Sequence, residues 1–170
     1  MGAMEFVVEQ PIAASPDDVE AAFLDRDFYA ALGDIPDIAP PEIVGWHEHD
    51  GVTELALRYR FTGQIAPAVR AVLDPNKLIW VQESTVDHHT HRTTFTMKPE
   101  HYGSRLDCAG SYVFEPGPDG STLQRVTGRV KVHFPLVGGT VEKAIVNGLR
   151  EHIQSEAAIV ERWVRERKES

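Results

Sequence analysis

The sequence has one cysteine, Cys108, in 170 residues, so no disulfide can form within the chain and nothing points to an oxidising compartment. It is also poor in positive charge. Its 17 Lys and Arg stand against 26 Asp and Glu, and the formal net charge of -9 repels phosphate backbones and anionic membranes at long range. Nucleic acid is thereby set aside as a partner. No run approaches the roughly 20 apolar residues that cross a bilayer, so stable membrane insertion is not expected. Residues 1–11 carry neither a basic leader nor a long apolar stretch. These absences leave a cytoplasmic location as the expectation. Gly138-Gly139 precede a helical pattern but lack the further glycines and the lysine of a phosphate loop, and no His-Glu-x-x-His pattern occurs. No motif asks for a cofactor or a metal.

What is present is a globular composition, 42% hydrophobic and 25% charged, long enough for one core and too short for two comfortable ones. A single domain over 4–168 is expected, with 1–3 an expression remnant or a disordered start ahead of a second methionine, Met4. Residues 4–10 alternate as a short strand that Pro11 ends. Ser15-Pro16-Asp17-Asp18 is a helix start with a Ser cap, Pro at the first position and acids in the first turn, and a helix over 19–24 follows. A second short helix is expected over 28–32, starting near Asp25 or Asp27 and stopping at a left-handed Gly33. Pro36, Pro40 and Pro41 make 35–41 a connector.

From Glu42 the pattern turns to strands. Residues 43–49 and 52–61 flank Asp50-Gly51, a strong hairpin dipeptide, with Leu55, Leu57, Tyr59 and Phe61 on one face and Arg58 and Arg60 on the other. Further strands are expected at 66–73, 78–86 and 91–98, and 104–115 pairs with 122–134 as the last hairpin. Residues 138–168 then form the one long amphipathic pattern, with Thr140 placed to cap it and Glu142 set against its dipole. Val141, Ile145, Leu149, Ile153, Val160 and Trp163 share a face. Glu156 falls in the middle of that face, with His152 beside it and Gly148 leaving a gap one turn earlier. The fold class is α+β: a curved antiparallel sheet of about seven strands, in the order β-α-α-β6-α, wrapped on the last helix. Such a sheet encloses a cavity unless large side chains fill it.

This order resembles the helix-grip superfamily known as START-like or SRPBCC, which includes the birch pollen allergen type, lipid-transfer domains and polyketide cyclases. The resemblance covers 6–163. It is carried by Ala14-Ser15-Pro16-Asp17-Asp18-Val19, by the Asp50-Gly51 hairpin, and by Gly128-Arg129-Val130-Lys131-Val132-His133-Phe134-Pro135 running into Leu136-Val137-Gly138-Gly139-Thr140-Val141-Glu142. The last piece is most similar to a bacterial branch of undefined function. The resemblance implies a helix-grip fold with a cavity; it does not imply a reaction.

Glu156 is the first candidate site residue, because an ionised carboxylate on a buried face is costly unless a cation, donors or water meet it. It is either a structural group paired with an arginine or histidine, or a polar anchor for a ligand. His152, one turn earlier, can touch it as a proton relay or as a plain i,i+4 pair. His47 and His49 share a strand face, as do His89 and His91, but both pairs lie beside turns and no metal is expected. Trp46, Trp80 and Tyr59 are wall residues in this reading, and Cys108 a small core or wall residue. The expected function is to hold a small hydrophobic molecule or lipid under the terminal helix, as carrier, sensor or store. The wall is drawn from Leu55, Leu57, Tyr59, Trp80, Phe95, Val130, Ile145, Leu149 and His152, with Glu156 as the anchor. No catalytic residue is assigned. The alternatives are a cyclase, aromatase or dehydratase acting on a polyketide-like substrate through His152, Glu156 or a wall tyrosine, and an interaction scaffold with a filled core.

Overall fold

Strands that alternate apolar and polar side chains need one dry face, and in the computed structural model, which describes residues 2–170, they share a single sheet. Its strands are β1 (Met4–Ile12), β2 (Glu42–His49), β3 (Val52–Arg60), β4 (Ile79–Asp87), β5 (Arg92–Pro99), β6 (Leu106–Pro116) and β7 (Thr122–Val132). They lie in the order β1-β7-β6-β5-β4-β3-β2, every neighbouring pair antiparallel. The six later strands are a plain meander, and β1 joins its far edge by pairing Phe6 with Gly128 and Val8 with Val126. The fold is therefore the expected α+β helix grip.

Four of the expected segments differ in detail. Pro11 does not end the first strand: β1 continues to Ile12, with Pro11 opposite Leu123, because at the edge of a sheet a missing N–H is tolerated. Residues 66–73 are not a strand: Pro67 starts a one-turn helix, α2 (Pro67–Arg70), since a proline has no N–H to give a sheet and is already set for a first helical turn. Without that segment the order is β-α-α-β6-α, with α2 a detour between β3 and β4. Gly33 does not adopt a left-handed conformation; the chain reverses at Asp37, whose φ is 66°. Thr140 caps nothing. The long helix α3 (Gly138–Glu169) begins one residue after Val137 with no side-chain cap. Glu142 instead turns inward, and its Oε2 accepts the Val132 N–H at 2.8 Å, tying the first turn of α3 to the end of β7.

The other local signals act as read. Ser15 Oγ accepts the Asp18 N–H at 3.2 Å and Pro16 opens α1 (Pro16–Phe23). Asp25 Oδ1 accepts the Asp27 N–H at 2.9 Å and starts a 3-10 stretch, Arg26–Asp34, that buries Phe28, Tyr29 and Leu32. Asp50 and Gly51, with φ of 50° and 76°, make the two-residue turn between β2 and β3.

The helices cover one face of the sheet, where the core divides into two clusters. One joins α1, the 3-10 stretch, Leu55, Leu57 and Tyr59 of β3, and Ala157, Ile159 and Val160 of α3. The other joins β1, β5, β6 and β7 to Val141, Val146 and Ile153 in the first half of α3, with Val69 and Leu73 sealing its end. Trp163 seats the end of α3 on the short helices, its ring 5.6 Å from that of Phe28 and edge-on to it. No helix among the described residues is long and apolar enough to cross a membrane.

Candidate functional site

The site is built on a floor of two glycines. Gly110 of β6 and Gly128 of β7 are paired across the sheet, and a Cβ on Gly110 would fall 2.8 Å from the Phe95 ring, one on Gly128 2.6 Å from the Phe6 ring. Two phenylalanine rings thus lie where side chains would otherwise stand. They fill much of the hollow that the curvature of the sheet creates.

What remains is a cavity of about 60 Å³ at the junction of the two clusters. The sheet contributes Phe6, Leu55, Leu57, Tyr59, Gln82, Ser84, Phe95, Met97, Tyr112, Gln124 and Val126 to its lining; α1 and the 3-10 stretch contribute Phe23 and Tyr29; α3 contributes Leu149, His152, Ile153 and Glu156. At ~10–15 Å³ for each water-sized occupant, this is room for a few heavy atoms. It is small beside the ~300–1,000 Å³ of sites that swallow drug-sized ligands.

The polar groups of the lining are numerous for its size. Glu156 is buried, 8% exposed, and its Oε2 lies 3.3 Å from His152 Nε2. His152 sits edge-on to the Tyr59 ring at 5.8 Å, and Trp80 stacks on Tyr59 at 5.6 Å. Burial, and then the nearby Glu156 carboxylate, push the Tyr59 hydroxyl well above its ordinary pKa. Tyr29 is raised by burial first, then by Tyr112, Tyr59 and Glu156. Tyr112 is raised by burial and Glu156, against the opposing pull of the Thr93 hydroxyl. All three phenols are therefore neutral donors, not bases. Tyr29 gives its proton to the Phe23 carbonyl at 2.6 Å. Gln124 and Ser84, 3% and 6% exposed, hold side-chain polar atoms inside the fold. Among the described residues neither finds a hydrogen-bond partner, nor does the Tyr59 hydroxyl, and buried groups of this kind call for water or a guest.

Seven of the residues singled out in the sequence meet in this cavity: Leu55, Leu57, Tyr59, Phe95, Leu149, His152 and Glu156. Three stand elsewhere. Trp80 backs Tyr59 by stacking on its ring. Val130 is fully buried in the second cluster, and Ile145 packs half-buried against that cluster nearer the start of α3. Gly148 opens outward, with nothing within 4 Å of a Cβ there, so it leaves no gap in the cavity wall. Sequence reasoning misses the lining polar groups Gln82, Ser84, Gln124 and Tyr112. Strand alternation from Tyr59 and Phe95 could have found them, because each shares the inward parity of its strand.

The histidines do not gather. His49 pairs with Glu54 at 3.1 Å, His91 with Glu20 at 2.9 Å and His133 with Asp107 at 3.0 Å. The Nε2 of His88 lies 2.7 Å from the Thr53 hydroxyl. No group of three or more metal-ligating side chains converges among the described residues. Cys108 is buried, and burial pushes its thiol up to about 11.

Comparisons with known proteins bear on the fold. A family model described as "Protein of unknown function (DUF2505)" matches residues 8–164. No curated protein matches the sequence. Among solved structures, the chain is similar to the Zhui aromatase/cyclase from Streptomyces sp. R1128, with 14% identity, 98% of this chain and 96% of that one covered, and a TM-score of 0.67. It is similar to the protein TTHA0849 from Thermus thermophilus, with 20% identity, coverage of 95% and 97%, and a TM-score of 0.64. It is also similar to a norcoclaurine synthase point mutant from Thalictrum in complex with a transition-state analogue, with 19% identity, 99% of both chains covered and a TM-score of 0.64. At these identities the likeness is one of fold: the START-like helix grip.

Proposed function

The chain belongs to the DUF2505 family, and from that premise and the geometry beneath α3 we propose that it binds a compact small molecule in the cavity between sheet and helix. The observation that carries this reading is a cavity of about 60 Å³ whose wall holds the buried side chains of Gln124, Ser84 and Tyr59 without protein partners for their polar atoms. These polar atoms face the cavity, where water or a guest can meet them. Leu57, Leu149, Ile153 and the aromatic rings supply apolar burial; the polar groups supply selection. The volume narrows the expected guest: an acyl chain or a polyketide exceeds it unless Phe6 and Phe95 leave the glycine floor.

Titrating a set of small fragments while following the methyl NMR signals of Leu57, Leu149 and Ile153 tests this. Saturable shifts are expected, and those of the Leu57 and Ile153 methyl groups should disappear in a folded Leu149→Trp variant. No fragment moving these signals at millimolar concentration would remove the reading and favour a plain scaffold. A second reading, proton-transfer catalysis, is favoured by one observation, the 3.3 Å contact of His152 with Glu156 beside a neutral phenol. Turnover of a bound ligand, lost in His152→Gln with binding retained, would separate it from simple binding.

A further inference from the structure

We infer that the guest of this cavity carries an organic ammonium group, held by Glu156 inside a ring of aromatic side chains. The inference rests on the small-molecule reading given above and deepens it by naming the charge of the ligand.

Three observations support it. First, the charge of the lining has one sign. Glu156 is its only carboxylate, and no lysine or arginine among the described residues lines the cavity. An anionic guest, such as a fatty acid or phosphate ester, would meet a buried like charge, and His152, the one lining side chain able to carry positive charge, is already turned to Glu156. Second, Glu156 is incompletely met. His152 contacts Oε2, while Oε1 makes no hydrogen bond among the described residues, leaving acceptor capacity at the cavity wall. Third, Phe6, Phe23, Tyr29, Tyr59, Phe95 and Tyr112 all contribute to the lining. Aromatic faces attract alkylammonium ions, more strongly once water is removed, and a cage of rings closed by one carboxylate suits that cation. The remaining acceptors, the Gln82 and Gln124 carbonyl oxygens and the Ser84 hydroxyl, can take further N–H groups. A volume of about 60 Å³ admits the ammonium end and a few carbons.

The test uses an isosteric pair of probes, isopropylammonium chloride and isopropanol, whose organic parts have the same number of heavy atoms and differ in charge. Each is titrated into the wild-type protein at neutral pH and constant ionic strength, with the Leu57, Leu149 and Ile153 methyl signals as readout. The ammonium is expected to bind about tenfold or more tighter than the alcohol, as a buried charge contact with cation–π support would give. In Glu156→Gln the ratio should fall to about one, and in Tyr59→Leu it should fall part of the way. Alcohol binding as tightly as ammonium in the wild type overturns the inference but leaves the small-molecule cavity standing. Failure of both probes, while other fragments shift the same methyl groups, also overturns it. Failure of every fragment removes the cavity reading itself. The wild-type ratio decides the matter even if a variant does not fold.

Discussion

Replacing Glu156 with Gln should make the protein more stable. The carboxylate is 11% exposed at its side chain and has one partner, His152, at 3.3 Å. Taking a carboxylate out of water costs several kcal/mol, and one hydrogen bond to a charged group returns about 1.5–3 kcal/mol. Water in the cavity reduces the deficit without closing it, so the amide, which keeps the shape and loses the charge, should gain on the order of 1 kcal/mol. For 170 residues at about 2.1 cal/mol/K each, unfolding entropy near the midpoint is about 0.36 kcal/mol/K, and the gain becomes a rise of about 3 °C in Tm. Scanning calorimetry of the two proteins at pH 7 reads this directly. His152→Ala, which strips the carboxylate of its partner, should lower Tm by a comparable amount or more, and a double-mutant cycle should show the two changes coupled. A fall of about 3 °C or more in Glu156→Gln would refute the reasoning. It would mean that the carboxylate is an anchor of the fold and not a group held there for a guest.

Other consequences follow from single contacts. Gly110→Ala puts a methyl group against the Thr127 carbonyl oxygen and 2.8 Å from the Phe95 ring, so it should cost about 1–3 kcal/mol or more in urea unfolding, whereas Gly139→Ala, in open space, should cost little. The His91 ring is held protonated by its hydrogen bond to Glu20, with Asp17 and Asp87 adding attraction, so its folded pKa lies above 6.5. That contribution is complete below the unfolded value of about 6.5 and is lost as pH rises through the raised folded value. An NMR titration should show the His91 midpoint dropping in Glu20→Gln. Cys108, with its thiol near 11, should react with a disulfide reagent at pH 7 only as the protein unfolds. Reaction of the native protein within seconds would contradict its burial.

The sequence-to-structure correspondence is closest where a local signal decides the outcome. Ser15-Pro16 and Asp50-Gly51 act through their own backbone, and β3 alternates as its side chains demand. Residues 66–73 read as a strand because Val69, Val72 and Leu73 look strand-like. The proline that sets the helical turn removes only one donor, and the burial of Val69 and Leu73 under the second cluster is a tertiary fact. Glu156 is legible as an anomaly of helical spacing, and His152 with it. The size of the cavity is not. It depends on Phe6 and Phe95 lying over Gly128 and Gly110, a contact across strands that no window of sequence contains. The same holds for Glu142, an ordinary first-turn acid by position, whose bond to the Val132 N–H exists only because β7 ends beside it.

The central claim is that a guest of few heavy atoms occupies the space beneath α3. It is tested most directly by a crystal structure of the protein isolated from its own cell and prepared without organic additives, at a resolution that separates water from a bonded group. The account predicts continuous multi-atom density between Glu156 Oε1 and the Gln124 side chain, with Phe6 and Phe95 on the glycine floor. An interior closed by its own side chains, with Glu156 paired to an arginine and Gln124 bonded within the protein, would contradict it.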